Sequence, residues 1–218
     1  MRALLMVLAA AAPPAAPPDF WTHWGDGRAE LCGYRLTQPR YGALRTGVAV
    51  LVFVTEDFSD TLRVKADPGK HPPKDVYPVM KLNAIRRFQT GIYDYHVMTS
   101  VFARPVPGWP LAKVSFSSQE WCGHVYQQLL WRDGRIESER HSYFDGEADA
   151  REVIDWKSDG VLEDALPITL RDWGFSSSLR GSTSMAVPFL RSLLRARLEH
   201  RRLEWGRATL TRSGEPRR

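Results

Sequence analysis

The densest run of chemically versatile side chains in this sequence is Ser117-Ser118-Gln119-Glu120-Trp121-Cys122-Gly123-His124. A thiol two residues from an imidazole is raw material for nucleophilic catalysis, which needs a cysteine whose pKa is lowered by a nearby base. On a strand, Cys122 and His124 would share a face, although Gly123 between them marks a place where a bulge would change that facing. A disulfide or a buried thiol is the plainer use of Cys122. A metal centre is the second chemistry on offer. His23, His96 and His124, with Asp94 or Glu120, carry the nitrogen and oxygen ligands that zinc takes. No pair among them has a recognised ligand spacing, so His96 in Tyr93-Asp94-Tyr95-His96 also reads as an ordinary packed or solvated histidine. The third possibility needs no reaction. Trp21, Trp24, Tyr93, Tyr95, Trp121 and Tyr126 can line a pocket, with Glu56, Asp94, Gln119 and Glu120 to hold a ligand's polar end. The same rings equally suit the core of an aromatic-rich domain. No glycine-rich strand-to-helix turn for phosphate is present, nor a Gly-x-Ser-x-Gly elbow, and nothing in the sequence implies a cofactor.

Most of the elements that would carry these residues read as strands. Gly47 to Thr55 is a continuous apolar run rich in β-branched residues, the signature of a strand buried on both faces. Leu62 to Ala66 alternates and ends at the turn signal Asp67-Pro68-Gly69. Val79 to Phe88, Ile92 to Phe102 and Leu111 to Phe116 follow as strands. Val125 to Trp131 and Arg135 to Phe144 form a hairpin through Asp133-Gly134. Two segments break the pattern. Val161 to Trp173 has apolar residues at helical spacing interrupted by Pro167, which predicts a short or kinked helix. Ser182-Thr183-Ser184 is placed to cap a second short helix over Pro188 to Leu194. Leu203 to Leu210 reads as a last strand. The expected fold is mainly β, a strongly curved antiparallel sheet (a half-barrel or open barrel) with one or two short helices late in the chain.

The first residues have another character. Met1-Arg2 is a short positive region, Ala3 to Ala12 is apolar throughout, and Pro13 to Pro18 is small and proline-rich. The apolar run is too short for a bilayer, which needs about 20 residues, and fits a secretory leader. Residues 1–18 therefore read as a signal peptide with an Ala/Pro leader, 19–211 as one β-rich domain and 212–218 as a disordered tail. The expected location is periplasmic or secreted. About 200 residues remain, enough for one substantial core, and eight tryptophans with sixteen other aromatics give it much area to bury. In an oxidising compartment Cys32 and Cys122 could close one long loop, worth about 4 kcal/mol in the chain-entropy model, or stay as two buried thiols; sequence separation does not decide between them.

The chain carries a net charge of +5, yet ten arginines face only three glutamates from Arg180 to Arg218, so the whole basic excess lies in the last fifth. An exported protein rarely meets nucleic acid. The partner this charge suits is an anionic membrane surface, and the plain alternative is a solvated arginine-rich edge with a frayed end.

Several strings are also distinctive: Phe20-Trp21-Thr22-His23-Trp24-Gly25-Asp26-Gly27, Phe53-Val54-Thr55-Glu56, Lys81-Leu82-Asn83, Phe88-Gln89-Thr90-Gly91-Ile92-Tyr93-Asp94-Tyr95 and Phe116 to Gly123. From about Phe20 to Trp173 the chain resembles a family of exported bacterial β-rich proteins without established biochemistry. Members are sometimes catalogued as septum formation inhibitor-like, of the nucleotide-pyrophosphatase type. Those enzymes carry a Ser-x-Ser-Pro-Arg-Arg-like loop near the N-terminus, whereas here the only similar string is Ser213-Gly214-Glu215-Pro216-Arg217-Arg218. At the level of fold the pattern is similar to periplasmic half-barrels that hold lipids or lipoprotein acyl chains. The aromatic set, the curved-sheet pattern and the C-terminal arginines together lead to the expectation of an exported envelope protein that binds a hydrophobic or lipid-like ligand without catalysis. The alternatives are an exported hydrolase using a thiol or metal site around Cys122 and His124, or a structural or interaction module without a ligand.

Overall fold

The structure is a computed structural model that describes residues 18–172 and 184–211. The leader up to Pro17, the proposed cap residues Ser182 and Thr183, Trp173 and the tail from Arg212 lie outside the described residues. The description begins with a short helix α1 (Pro18–Trp24), which the sequence does not announce. Eight strands then run as β1 (Glu30–Arg40), β2 (Ala43–Ser59), β3 (Val76–Thr90), β4 (Tyr93–Ala103), β5 (Leu111–Glu120), β6 (Gly123–Arg132), β7 (Arg135–Ser142) and β8 (Ala150–Asp155). Each pairs antiparallel with the next, in the order of the sequence. The mainly β, antiparallel architecture expected is thus present. The sheet is open: β1 and β8 are its two edges, with no pairing between them.

After β8 come β9 (Val161–Leu162), α2 (Leu166–Asp172), β10 (Ser184–Leu190), α3 (Leu193–Leu198) and β11 (Trp205–Thr211). β10 lies between β11, antiparallel, and β9, parallel, in a separate three-stranded sheet. Among the described residues no helix is long and apolar enough to cross a membrane.

The period-two alternation of the strands gives the large sheet one buried and one open face. Phe53, Leu82, Ala84, Val97, Val114, Phe116, Leu129 and Ile136 point to the buried side. There they meet Phe20 and Trp24 of α1 and Leu162, Ile168, Leu190, Leu193 and Leu198 of the C-terminal segment, in a single core. Each fully buried aliphatic or aromatic side chain contributes about 1.5–3 kcal/mol. Thr55 Oγ1 donates to the Trp24 carbonyl at 3.0 Å, which seats α1 on β2. Arg40 donates to the hydroxyls of Tyr95 (3.2 Å) and Tyr41 (3.0 Å) and to the Leu198 carbonyl, tying the first hairpin to α3. Arg197 and Glu147, both almost wholly buried, pair at 3.0 Å and join α3 to the β7–β8 connection.

Several expectations are corrected. β2 is buried on one face only. Val50, Val52 and Val54 are only half-buried and Val48 is exposed, so apolar content misreads as burial on both faces. Leu62 to Ala66 is a turn with a single bridge, Phe58 to Lys65, and Arg63 in the left-handed region. Of the short or kinked helix expected in Val161 to Trp173, the short form is present as α2, and Pro167 sits one residue inside its start, where its missing N–H costs nothing. The second late helix begins at Leu193 and is capped by Ser192, whose Oγ accepts from the Arg195 amide at 3.1 Å. Pro188 to Leu190 instead belong to β10, a pairing made by residues far away in sequence. Cys32 and Cys122 are not joined in a disulfide.

Candidate binding groove

The open face of the large sheet is not uniformly polar. In register across β3 to β7, one row of outward side chains reads Ile85, Met98, Ser117, Tyr126 and His141, and the next reads Arg87, His96, Gln119 and His124. Ser117 is the smallest member of its row and lies between Met98 and Tyr126, which leaves a trough over β5. With Tyr143 and Asp149 from the connection after β7, these residues line a groove of about 770 Å³ that is open to solvent. This lies within the 300–1,000 Å³ usual for small-molecule sites.

Its chemistry is divided. Ile85, Met98 and the rings of Tyr126 and Tyr143 form an apolar floor and wall. Arg87, His96 and His124 form a rim, and none of the three has an ion-pair partner among the described residues. His141 differs, lying 3.3 Å from Asp149 and 3.7 Å from Glu139. Burial, with Glu139 nearby, raises the phenol of Tyr126, so it remains a neutral donor. A site with an unpaired guanidinium, imidazoles and an apolar floor suits a molecule with an apolar body and an acidic end.

The residues singled out by sequence fall in several places. Gln119, Tyr126, His96 and His124 line the groove. Asp94 is exposed on the same face, and Glu56 is held 3.3 Å from Lys81. Trp24 and Tyr95 are in the core, where Tyr95 stacks on Phe88 with centroids 4.7 Å apart. Tyr93 packs on that side too, and Glu120 is buried with one carboxylate oxygen accepting the Cys122 amide at 2.8 Å. Trp21 lies on α1, edge-on to Phe20, and Trp121 is exposed in the β5–β6 turn. The expected ligand set is therefore split between two faces, and only part of it meets.

The catalytic and metal constellations do not assemble. Cys122 sits in the two-residue turn between Glu120 and Gly123, outside the strand that carries His124. The Glu120 carboxylate, by hydrogen bond, and then burial raise its thiol above the ordinary value. A nucleophilic cysteine needs the reverse. His23 is on α1, packed against Trp24, far in the fold from the groove imidazoles. Among the described residues no three His, Cys, Asp or Glu side chains converge as a metal site.

The groove residues that the sequence does not single out are Ile85, Arg87, Met98, His141, Tyr143 and Asp149; Ser117 belongs to the distinctive Ser117 to His124 run, but its place as the gap in the row shows only in the register. One signal pointed to some of them: His96-Val97-Met98, His124-Val125-Tyr126 and His141-Ser142-Tyr143 repeat a histidine two residues before a large side chain. Comparison with protein-family models, curated proteins and solved structures gave no match. No family is shown. The groove is read from its own residues.

Proposed function

We propose that this is an exported, non-catalytic binding protein whose groove takes an amphipathic molecule with an acyl or aromatic body and an acidic head. The observation that supports it is the juxtaposition, on an otherwise solvent-facing sheet, of the Ile85–Met98–Tyr126 floor with Arg87, His96 and His124 at its rim. In this reading the eight strands serve as a shallow half-barrel and Ser117 marks the deepest point. The leader-like residues 1–18 and the resemblance to exported β-rich proteins agree with a place in the cell envelope. At about 0.3 kcal/mol per non-hydrogen atom, a ligand of about 20 such atoms would bind with about 6 kcal/mol, in the tens of micromolar.

The test has two parts. Solvent extraction of the purified protein followed by mass spectrometry is expected to release a lipid-like acid. A fluorescent fatty acid is expected to bind saturably, more weakly after Arg87→Ala. Protein that carries no such molecule and does not bind the fluorescent acid would overturn the reading.

A further inference from the structure

In a meander every odd-to-even turn falls at the same end of the sheet. Here those connections are Tyr41-Gly42, Gly91-Ile92, Trp121-Cys122 and the loop that opens at Tyr143. Each carries a large side chain at its tip, with Ile92 79%, Tyr143 76%, Trp121 71% and Tyr41 57% exposed. They are joined rather than scattered. The Tyr41 hydroxyl lies 3.0 Å from that of Tyr95 in the second hairpin. Trp121 stacks on Tyr93 with centroids 6.0 Å apart, and Tyr143 packs so closely on Gly123 that an added Cβ would lie 2.5 Å from its ring. The tips thus set three exposed aromatic rings and Ile92 along one end of the sheet as an apolar rim, each ring tied to a neighbouring hairpin.

The rim contradicts ordinary turn chemistry. Tyr41 and Gly42 both have positive φ, 53° and 69°, the two-residue turn that favours Asn or Asp before Gly. At the opposite end the β6–β7 hairpin makes the same turn, φ 48° and 75°, with Asp133-Gly134. That far end also carries Asp60, Lys65, Asp67 and Lys70, with Leu62 and Val64 as its exposed apolar residues. The far end also has an aromatic in the left-handed region, Trp109 at φ 45°, but that ring is buried in the core; Tyr41 takes the same strained backbone with its ring exposed, which points to a use for the ring outside the core. Beside the rim lies positive charge. Arg195 lines the same cleft as Tyr41 and Leu44, paired with Glu199 at 3.0 Å; Arg201, 3.7 Å from the same carboxylate, and Arg202 follow α3, exposed, so three arginines stand against one glutamate next to His200, which packs on Phe144 with centroids 4.8 Å apart.

Tryptophan and tyrosine favour the boundary between lipid and water, and nearby arginines are drawn to anionic headgroups. We infer that this end of the sheet docks on an anionic bilayer, with Tyr41, Ile92, Trp121 and Tyr143 entering the interfacial layer while Arg201 and Arg202 meet the headgroups. The groove opens close to the rim through Tyr143, but docking does not depend on the groove being filled.

The test is co-sedimentation of the protein with vesicles of phosphatidylethanolamine and phosphatidylglycerol, and with vesicles of phosphatidylcholine alone. Binding to the anionic vesicles is expected, falling with added salt. The double substitution Ile92→Ser with Trp121→Ser should weaken it at least tenfold while leaving the melting temperature near that of the parent. Arg201→Glu with Arg202→Glu should weaken it with the tip side chains intact, and Ser117→Phe, which blocks the groove, should leave it unchanged. Absence of binding to either vesicle, or equal binding by parent and tip variant, overturns the inference. A self-associating protein whose dimer the tip substitutions abolish, without vesicle binding, overturns it in favour of an interface between copies.

Discussion

Met98 of β4 and Tyr126 of β6 face each other across Ser117, the one residue of β5 that stands between them in register. The groove exists because that residue is small. Ser117→Phe should therefore fill the trough and lower affinity for a fluorescent fatty acid at least tenfold. The substitution lies on the open face, so the urea midpoint should move by less than about 0.5 kcal/mol equivalent. Retained affinity would place the ligand elsewhere.

Asp164 gives the fold a pH dependence of unusual sign. It accepts the Leu193 amide at 2.7 Å, and Ser192, the residue before, donates to Glu163 at 3.0 Å. Burial, with Glu163 adding to it, pushes the pKa of this half-buried residue from 3.8 up to about 7 despite the Leu193 amide and Arg86. A carboxyl raised on folding binds its proton more tightly in the native state. Its contribution is fully present below about pH 4 and is lost as pH rises to about 7. Urea unfolding between pH 4 and pH 8 should show this decline, and Asp164→Asn should flatten it. An unchanged slope in the variant would assign the dependence to another group.

Gly47 of β2 faces Phe88 of β3. A Cβ there would lie 2.1 Å from the Arg87 carbonyl oxygen and 2.8 Å from the Phe88 Cβ. Gly47→Ala must push β2 from β3 beneath the Phe88–Tyr95 stack, at a cost of about 1–3 kcal/mol. Gly33→Ala, in the neighbouring strand with open space around it, is the control and should be close to neutral.

The raised thiol of Cys122 sets its reactivity. Although exposed, it should react with a thiol reagent at pH 7 more slowly than a free cysteine, and Glu120→Gln should speed the reaction by removing the first of the causes that raise it. Rapid labelling of the parent protein at neutral pH would contradict that assignment and reopen Cys122 as a nucleophile.

Strands β3 to β7 were legible because one face of each is buried, so apolar and polar residues alternate. Edge strands lack that constraint. β1 has Leu31, Tyr34 and Arg35 exposed and Gly33 and Pro39 within it, so its sequence carries no pattern to read; β8, at the other edge, is short, and half of its residues are charged. β10 looks like a helix start in the sequence because Ser and Pro supply helix-capping chemistry, whereas its strand state depends on β9 and β11. The groove was half legible for the same kind of reason. His96, His124 and Tyr126 stand out by residue type, but His141, Ile85 and Arg87 look ordinary until the register sets them beside one another. Tyr93 and Tyr95 shared a motif with Asp94 and His96, and alternation sent the pairs to opposite faces.

The roof over the core has a consequence for synthesis. The eight strands pair in sequence order, so they can zip together as the chain emerges, with little loop entropy to overcome. Yet the side that holds Phe53, Leu82 and Phe116 is covered largely by residues 161–172 and 184–211, which are made after all eight strands. Until they arrive, the nascent sheet carries a broad greasy surface with two bare edges, the kind of intermediate that clumps. The period between β8 and β11 is when this protein most needs a chaperone.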